Sequence, residues 1–265
     1  MSEAPVLWSC DARGVGTVTI NRPERNNAYN GALLQGLHDA MDALGAEKGL
    51  RAVVIKGNGK HFQAGADLKW LNETRDGSPQ HNFDVSKVTT MAIDRLNHLG
   101  VVTIALVQGF CVGGGTGLLS ACDVVIAADD AKFAISEARW GVTAAIIVPH
   151  LVDAIGARQV RRYALTCERF DAATAMRLGL VHEVVARDAL EAKGEEVLAA
   201  LLECAPVAIA ETKALALQYS HGDVPADALD RLIQSHSDKR QSDEAGEGLK
   251  SFAEKRPASW SPNAS

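Results

Sequence analysis

Several features on which common protein functions depend are missing from this sequence. No apolar run reaches the roughly 18 residues that a membrane-spanning helix needs. The first residues, Met1 to Pro5, include neither a basic nor an apolar segment, so we expect no secretory signal. The five cysteines are odd in number, scattered and free of CxxC spacing, which is typical of reduced thiols rather than of a disulfide framework. We therefore expect a soluble, cytoplasmic protein.

Sequence signatures of several site classes are also missing. The eight histidines show no metal-ligand spacing such as HExxH, so no metal site is predicted. There is no G-x-S-x-G segment to support a serine hydrolase. No Lys-Ser or Lys-Thr follows the glycine-rich segments, and the G-x-G-x-x-G spacing of a dinucleotide site is absent. The formal net charge of −6 argues against a nucleic-acid surface, which needs clustered Lys and Arg.

What is present is an alternation of short apolar segments with segments of helical periodicity. Hydrophobic residues make up 47% and charged residues 23% of the chain, as in ordinary globular proteins. The predicted strands are 16–20, 52–55, 101–107, 123–127 and 181–185. Helical spacing predicts a first helix, with Asn30 as its N-cap, whose apolar stripe is Leu33, Leu37, Met41 and Leu44. Repeated strand–helix units predict a mainly parallel sheet within an α/β architecture.

Two further segments complete the predicted organisation. The polar segment 76–82 indicates a mobile surface loop, leading into a helix at 91–99. From residue 188 onward the pattern is helical, with Pro206 and Pro225 suited to first helical turns and Ser242 to the cap of a last helix. We therefore predict a core at 1–187 and a helical region at 188–265.

Two glycine-bearing turns carry most of the functional information. One is Gly65-Ala66-Asp67-Leu68, and the other contains Gly113, Gly114 and Gly115; each follows a strand-like run and precedes a helix-like one. Each can therefore present unpaired backbone N–H groups at a helix start. Two such turns can place two donors on one carbonyl oxygen, as an enzyme does for an enolate or oxyanion. The alternatives are a tight connection for the first turn and close helix–strand packing for the second.

Glu137 is the candidate proton carrier. It follows the mostly apolar segment 133–136 directly. A carboxylate in low-dielectric surroundings can have its pKa raised, which suits proton transfer near neutrality. The alternative is an exposed glutamate in a loop or at a helix start.

Taken in order, these motifs resemble those of the enoyl-CoA hydratase/isomerase, or crotonase, family. The resemblance spans nearly the whole chain and keeps the family's motif order. It is carried by residues 21–23 with 27–28, 61–68, 108–115, 121–123, 133–141, 172–185 and 252–257.

The resemblance implies a spiral of repeated ββα units with a helical C-terminal trimerisation region, assembled as a trimer or a pair of trimers. It implies that the N–H groups of Ala66 and Gly114 hold the thioester oxygen and that Glu137 is catalytic. Coenzyme A would enter as part of the substrate, with no further cofactor. The substrate- and CoA-binding residues implied are Arg25, Asn26, Ala64, Asp67, Leu68, Gly113, Gly117, Trp140 and Gly141.

One departure from the family pattern narrows the expected chemistry. Hydratases of the family commonly carry two glutamates, and the first of these positions is Gly117 here, which leaves Glu137 alone. Gly117 and the sequence of residues 136–142 resemble those of the bacterial branch of the family. Enzymes of that branch hydrate glutaconyl-type CoA esters in leucine or acyclic terpene breakdown. We expect Gly117 to open room for a bulkier acyl group. Arg139, Lys69 and His150 are candidates for binding a distal substrate carboxylate.

Two rival functions stay open at this point. A Δ3,Δ2-enoyl-CoA isomerase could use Glu137 as a proton shuttle without water. A non-catalytic CoA- or RNA-binding paralogue could also have lost one glutamate, although the acidic charge balance argues against RNA.

Overall fold

The strands form one large and one small sheet. A computed structural model describes residues 4–220 and 243–264. The strands are β1 (Val6–Cys10), β2 (Val15–Ile20), β3 (Ala52–Gly57), β4 (Val102–Val107), β5 (Phe110–Val112), β6 (Val124–Ala128), β7 (Lys132–Ala134), β8 (Phe170–Asp171) and β9 (Glu183–Val185). The large sheet has the order β1-β2-β3-β4-β6-β9, and the small sheet has the order β5-β7-β8.

The large sheet is mainly parallel, as predicted. The pairs β2–β3, β4–β6 and β6–β9 are parallel, and β1 joins β2 as an antiparallel edge. In the small sheet β5 and β7 are parallel, whereas β8 runs antiparallel to β7. The strands β1, β5, β7 and β8 were not predicted. Residues of β1 show no alternation of buried and exposed side chains, and the two or three residues of β5, β7 and β8 are too few for a periodicity to show.

Helices connect most of the strands, and further helices come after the last strand in the chain. They are α1 (Gly31–Gly45), α2 (Leu68–Arg75), α3 (Pro79–Asn97), α4 (Gly114–Ser120), α5 (Val148–Thr166, broken at Gly156), α6 (Ala172–Leu178), α7 (Leu190–Leu202), α8 (Pro206–Gln218) and α9 (Asp243–Glu254). Short 3-10 turns lie at Pro23–Arg25, Glu137–Trp140 and Arg187–Ala189. Among the described residues, no helix has both the length and the apolar character needed to cross a bilayer.

The predicted first helix is confirmed. The Asn30 side chain accepts a hydrogen bond from the Leu33 N–H at 3.0 Å, which caps one of the unpaired donors at the helix start. The predicted apolar stripe of α1 is buried along its length. Helix α1 packs on β1 and β2, so its stripe and the buried face of the sheet form part of one core.

The loop predicted at 76–82 is wrong for most of its length, because α3 begins at Pro79. The Ser78 hydroxyl accepts a hydrogen bond from the His81 N–H at 3.1 Å, and Pro79 occupies the first helical turn. The Gln80 amide also donates to Asp84 at 2.9 Å, one turn further on. Ser-Pro was therefore a helix start rather than part of a turn.

The chain divides into two compact units. The first comprises residues up to Leu99 and Thr103–Gly194 and holds α1 to α6; the second comprises Gly100–Val102 and the residues from Glu195. Within the second unit, the Glu244 carboxylate of α9 accepts hydrogen bonds from the first N–H groups of α8, at 2.9 and 3.0 Å. The boundary at 187/188 stays a prediction, and Pro225 and Ser242 lie outside the described residues.

Asn27 offers a direct test of how the segment around the 3-10 turn at 23–25 is held against residues 58–61. Its fully buried side chain accepts from the Arg22 N–H at 2.8 Å and donates to the carbonyls of Asn58 and His61 at 2.9 and 2.7 Å. Asn27→Ala leaves these groups unpaired and should lower the free energy of unfolding by about 2–4 kcal/mol in chemical denaturation. Asn26→Ala is the matched control, since Asn26 also has a positive φ but lies exposed. An equal loss in both variants would contradict the role of the buried amide.

Candidate active site

The first glycine turn is held by main-chain hydrogen bonds from two directions. Tyr29 bonds to both sides of Ala66: its N–H donates to the Gly65 carbonyl at 2.9 Å, and its carbonyl accepts from the Asp67 N–H at 2.8 Å. Gly65 has φ +86°, a conformation that strongly favours glycine. Within residues 4–220 and 243–264, the N–H of Ala66 has no hydrogen-bond acceptor.

The second turn joins β5 to α4. Gly113 has φ +57° and ψ −126°, which only glycine adopts readily, and its N–H donates to the Ala134 carbonyl of the small sheet at 2.8 Å. The N–H and hydroxyl of Thr116 both donate to the Gly113 carbonyl, at 2.8 and 2.7 Å. The N–H of Gly114, at the start of α4, has no acceptor in the described part of the chain.

The two turns approach each other through glycine positions. A Cβ atom on Gly114 would lie 2.7 Å from the Tyr29 ring, and one on Gly115 would lie 2.6 Å from the Gln63 side-chain oxygen. That same oxygen accepts from the Gly65 N–H at 2.9 Å. Tyr29 and Gln63 therefore contact both turns at distances that leave no room for a larger residue.

A cavity of about 720 Å³ lies over the turns. Seven of the twelve predicted site residues line it: Ala64, Ala66, Leu68, Gly113, Gly114, Glu137 and Trp140. The other lining residues come mainly from α2, α3, the segment 142–147 and the segment before β8. The second turn and Glu137 thus border the same space as the first turn.

Five predicted residues do not line this cavity: Arg25, Asn26, Asp67, Gly117 and Gly141. Asp67 forms an ion pair with Arg22 at 3.1 Å and accepts from the Lys69 N–H as the N-cap of α2. Although burial opposes it, hydrogen bonds from Arg22 and the start of α2 lower the pKa of Asp67. Asp67 therefore has a structural role, as the N-cap of α2 and the ion-pair partner of Arg22.

Two more of these five residues, Asn26 and Gly141, have backbone roles. Asn26 adopts a left-handed conformation, and its carbonyl accepts from the Ala64 N–H at 3.1 Å, which connects the 3-10 turn at 23–25 to the first glycine turn. Gly141 is also left-handed and ends the 3-10 turn at 137–140.

Glu137 begins that 3-10 turn, next to the second glycine turn. A Cβ on Gly113 would lie 3.1 Å from its Oε1 atom. Its Oε2 atom is buried with no hydrogen-bond partner among the described residues. Burial raises the pKa of Glu137, against the smaller effect of the nearby N–H groups of Glu137 and Ser136. The carboxylate is therefore suited to accept and return a proton.

The two glycine turns and Glu137 lie in segments that match one known family. The family model described as enoyl-CoA hydratase/isomerase matches residues 11–263. The chain is 33% identical, over 76% of its own length and 74% of the other's, to a hydroxycinnamoyl-CoA hydratase-lyase from Pseudomonas fluorescens.

This chain belongs to the enoyl-CoA hydratase/isomerase family.

Solved structures agree with that assignment. An enoyl-CoA hydratase from Shewanella pealeana superposes with a TM-score of 0.92 at 31% identity, over 97% of this chain and 96% of the other. Pseudomonas aeruginosa AtuE superposes with a TM-score of 0.91 at 36% identity, over 97% and 99%. The predicted crotonase fold and the prediction of a hydratase-type enzyme are confirmed at the level of the family.

The expectation that Gly117 opens room for a larger acyl group is wrong. Gly117 is buried in α4, and a Cβ there would lie 2.2 Å from Cγ2 and 2.7 Å from Cβ of Ile147. Ile147 is itself fully buried, although it borders the cavity. In this member of the enoyl-CoA hydratase/isomerase family, an isoleucine therefore fills the space beside the position where a second glutamate is expected.

Sequence reasoning missed several cavity residues. Tyr29, Trp70, Thr74 and Arg169 line the cavity. Tyr29 stands directly after the family's Asn-Ala pair, which was the one available signal. Arg169 is brought to the cavity by the connection between α5 and β8, and no local pattern marks it. Among the described residues there is no group of three or more His, Cys, Asp or Glu that could hold a metal ion.

Gly117 and Ile147 should behave as a coupled pair. Gly117→Ala should lower the free energy of unfolding by about 1–3 kcal/mol, because the new methyl group overlaps Ile147. Adding Ile147→Ala should cost less in this background than in the wild type, as a double-mutant cycle would measure. Gly45→Ala, at an open position in α1, is the control and should be close to neutral. Strict additivity would contradict the contact.

Glu137 should make the fold less stable as it ionises. A carboxyl whose folded pKa is raised contributes stability that is present below its unfolded pKa and lost as the pH rises through the folded value. Glu137→Gln should therefore raise the melting temperature at pH 7, and the gain should vanish near about pH 4. Glu24→Gln, an exposed glutamate, is the control. A gain independent of pH would contradict the assignment.

Proposed function

We propose that this enzyme adds water across the 2,3-double bond of an enoyl-CoA thioester, and that the acyl group is a branched, 3-substituted glutaconyl. The single observation that carries the proposal is that Glu137, whose Oε2 atom is buried without a partner among the described residues, borders the same cavity as the two N–H groups without acceptors. Membership of the enoyl-CoA hydratase/isomerase family supports it.

The proposed reaction uses one carboxylate twice. The thioester oxygen accepts hydrogen bonds from the N–H groups of Ala66 and Gly114, which draws electrons away from C3. Glu137 takes a proton from water as the water oxygen bonds to C3, and the electrons of the double bond move into an enolate. Glu137 then returns that proton to C2. Loss of one such N–H donor typically costs about 3–4 kcal/mol of barrier.

Coenzyme A enters this scheme as part of the substrate, and we propose no resident cofactor. The CoA moiety would lie near Arg25, Asn26, Ala64 and Leu68. From the resemblance we also propose a cytoplasmic trimer or pair of trimers, serving leucine or acyclic terpene breakdown.

Two guanidinium groups support a substrate with a distal carboxylate. Arg139 and Arg169 both line the cavity, and the chain as described offers neither a carboxylate partner. Arg139 donates to the Cys167 carbonyl at 3.3 Å, and Arg169 lies over the Phe110 ring with its guanidinium carbon 5.4 Å from the centroid. Guanidinium groups bind carboxylates through paired hydrogen bonds. Lys69 and His150, the other two candidates for binding the distal carboxylate, do not line the cavity. Lys69 forms an ion pair with Glu73 at 3.8 Å.

A Δ3,Δ2-enoyl-CoA isomerase is the second candidate, and the same lone carboxylate favours it. Glu137 would remove a proton from C2 of the 3-enoyl thioester, the double bond would move to C2–C3, and Glu137 would return the proton to C4 without any water. Hydration adds the mass of water to the acyl-CoA, whereas isomerisation leaves the mass unchanged, so mass spectrometry separates the two.

Purified enzyme should consume 3-methylglutaconyl-CoA or isohexenylglutaconyl-CoA, seen as loss of the enoyl-thioester absorbance and a gain in mass of one water. Glu137→Gln should reduce kcat by about 10²–10⁴-fold. Full activity in that variant would show that another group carries the proton.

The distal carboxylate gives a second test. Wild-type enzyme should prefer 3-methylglutaconyl-CoA over 3-methylcrotonyl-CoA, which lacks the carboxylate. Arg139→Gln should reduce that preference in kcat/KM by about 10–100-fold, since hydrogen bonds to charged groups contribute about 1.5–3 kcal/mol. Arg158→Gln, an exposed arginine of α5 away from the cavity lining, is the control. An equal loss on both substrates would contradict carboxylate binding by Arg139.

A further inference from the structure

Tyr29 is fixed at the centre of the site by its backbone and by its ring. Its main chain bonds to the residues on either side of Ala66, as described above. Its ring packs edge-on against Trp70, with centroids 5.8 Å apart at an angle of 69°. The side chain therefore has little freedom relative to the first glycine turn.

The hydroxyl of Tyr29 also lies at the second glycine turn. The Cβ position of Gly114 is 3.4 Å from the Tyr29 Oη atom and 3.3 Å from Cζ. Tyr29 lines the cavity, and its hydroxyl makes no hydrogen bond to any described residue. A phenolic hydroxyl both donates and accepts, so this one is available to a molecule in the cavity.

Glu137 lies beside Gly113, the residue before Gly114 in the second glycine turn. Its Oε1 atom is next to Gly113, just as the Tyr29 hydroxyl is next to Gly114. Burial, and then the negative charge of Glu137, raise the pKa of Tyr29 to about 12. The hydroxyl therefore keeps its proton near neutrality, and the two groups are close enough to interact electrically.

The position where a second acid is expected cannot supply a second polar group. Gly117 has no side chain, and the space beside it is occupied by the apolar Ile147. A single carboxylate gives an attacking water one hydrogen-bond partner, and a second partner would hold the water oxygen toward C3.

We propose that Tyr29 positions the attacking water by a hydrogen bond from its hydroxyl, in place of the missing second carboxylate. This inference rests on the proposed hydration. The water oxygen bonds to C3 while one water proton passes to Glu137, and that proton later goes to C2. Tyr29 keeps its own proton throughout, so it acts by orientation and not as an acid or a base.

Tyr29→Phe removes the hydroxyl and retains the ring contacts with Trp70 and Gly114. It should lower kcat for hydration of 3-methylglutaconyl-CoA by about 10–100-fold, with a much smaller change in KM. The acid limb of the pH profile should stay in place, because Glu137 sets it.

A second readout separates orientation of water from a structural role. 3-Methylglutaryl-CoA lacks the double bond, so in D2O its exchange of the C2 proton uses Glu137 and the N–H donors without water attack. Tyr29→Phe should keep the wild-type exchange rate, followed by NMR. Tyr163→Phe, which loses the same hydroxyl from a buried ring away from the cavity lining, is the control and should change neither reaction.

The outcomes are distinct. Loss of hydration with retained exchange supports the inference. Parallel loss of both reactions, or unchanged hydration, overturns the role of Tyr29 and leaves the proposed function intact. Wild-type enzyme that exchanges the C2 proton but hydrates no enoyl-CoA overturns the proposed function and this inference together.

Discussion

The site depends on one close approach, which Gln63 makes between the two glycine turns. Its main chain bonds to β5 on both sides of Cys111, at 3.0 Å each, and its side-chain oxygen accepts from the Gly65 N–H. The same oxygen lies only 2.6 Å from the position that a Cβ on Gly115 would take. The residue that shapes the first turn therefore also fixes its distance from the second. Because Gln63 is buried, water does not compete for these bonds.

This arrangement explains why the glycines of the second turn are three in succession. Gly113 needs a backbone conformation closed to other residues, Gly114 admits the Tyr29 ring, and Gly115 admits the Gln63 side chain. Each has a different physical reason, and none of the three reasons is phosphate binding. The packing explanation for the glycines and the oxyanion explanation are therefore compatible, since the tight packing is what brings the two unpaired N–H groups to one cavity.

Local patterns in the sequence predicted what local interactions determine. The stripe and N-cap of α1, the parallel strands of the large sheet and the two turns all follow from residues close together in the chain, whereas the edge strand β1 was not predicted. Ser78 and Pro79 carried an equally local signal of a helix start, which the polar composition of the segment obscured. Long-range contacts could not be predicted in this way. Nothing near Gly117 indicates Ile147, and nothing near Arg169 indicates a cavity thirty residues from Glu137 in sequence.

The contact between Gly117 and Ile147 bears on which reaction the site favours. Hydration and isomerisation share the oxyanion donors and the carboxylate, and they differ in whether a water molecule is held beside C3. The apolar side chain of Ile147 cannot hydrogen-bond to water. Whether a water is held beside C3 therefore depends on the polar atoms near Glu137. The Tyr29 hydroxyl is one such atom, and it lies beside the same glycine turn as the carboxylate. With phenylalanine at this position, the same fold and the same glutamate would retain proton transfer at C2 and lose the means of orienting water. On this reasoning, residue 29 and not residue 117 determines whether this site hydrates its substrate.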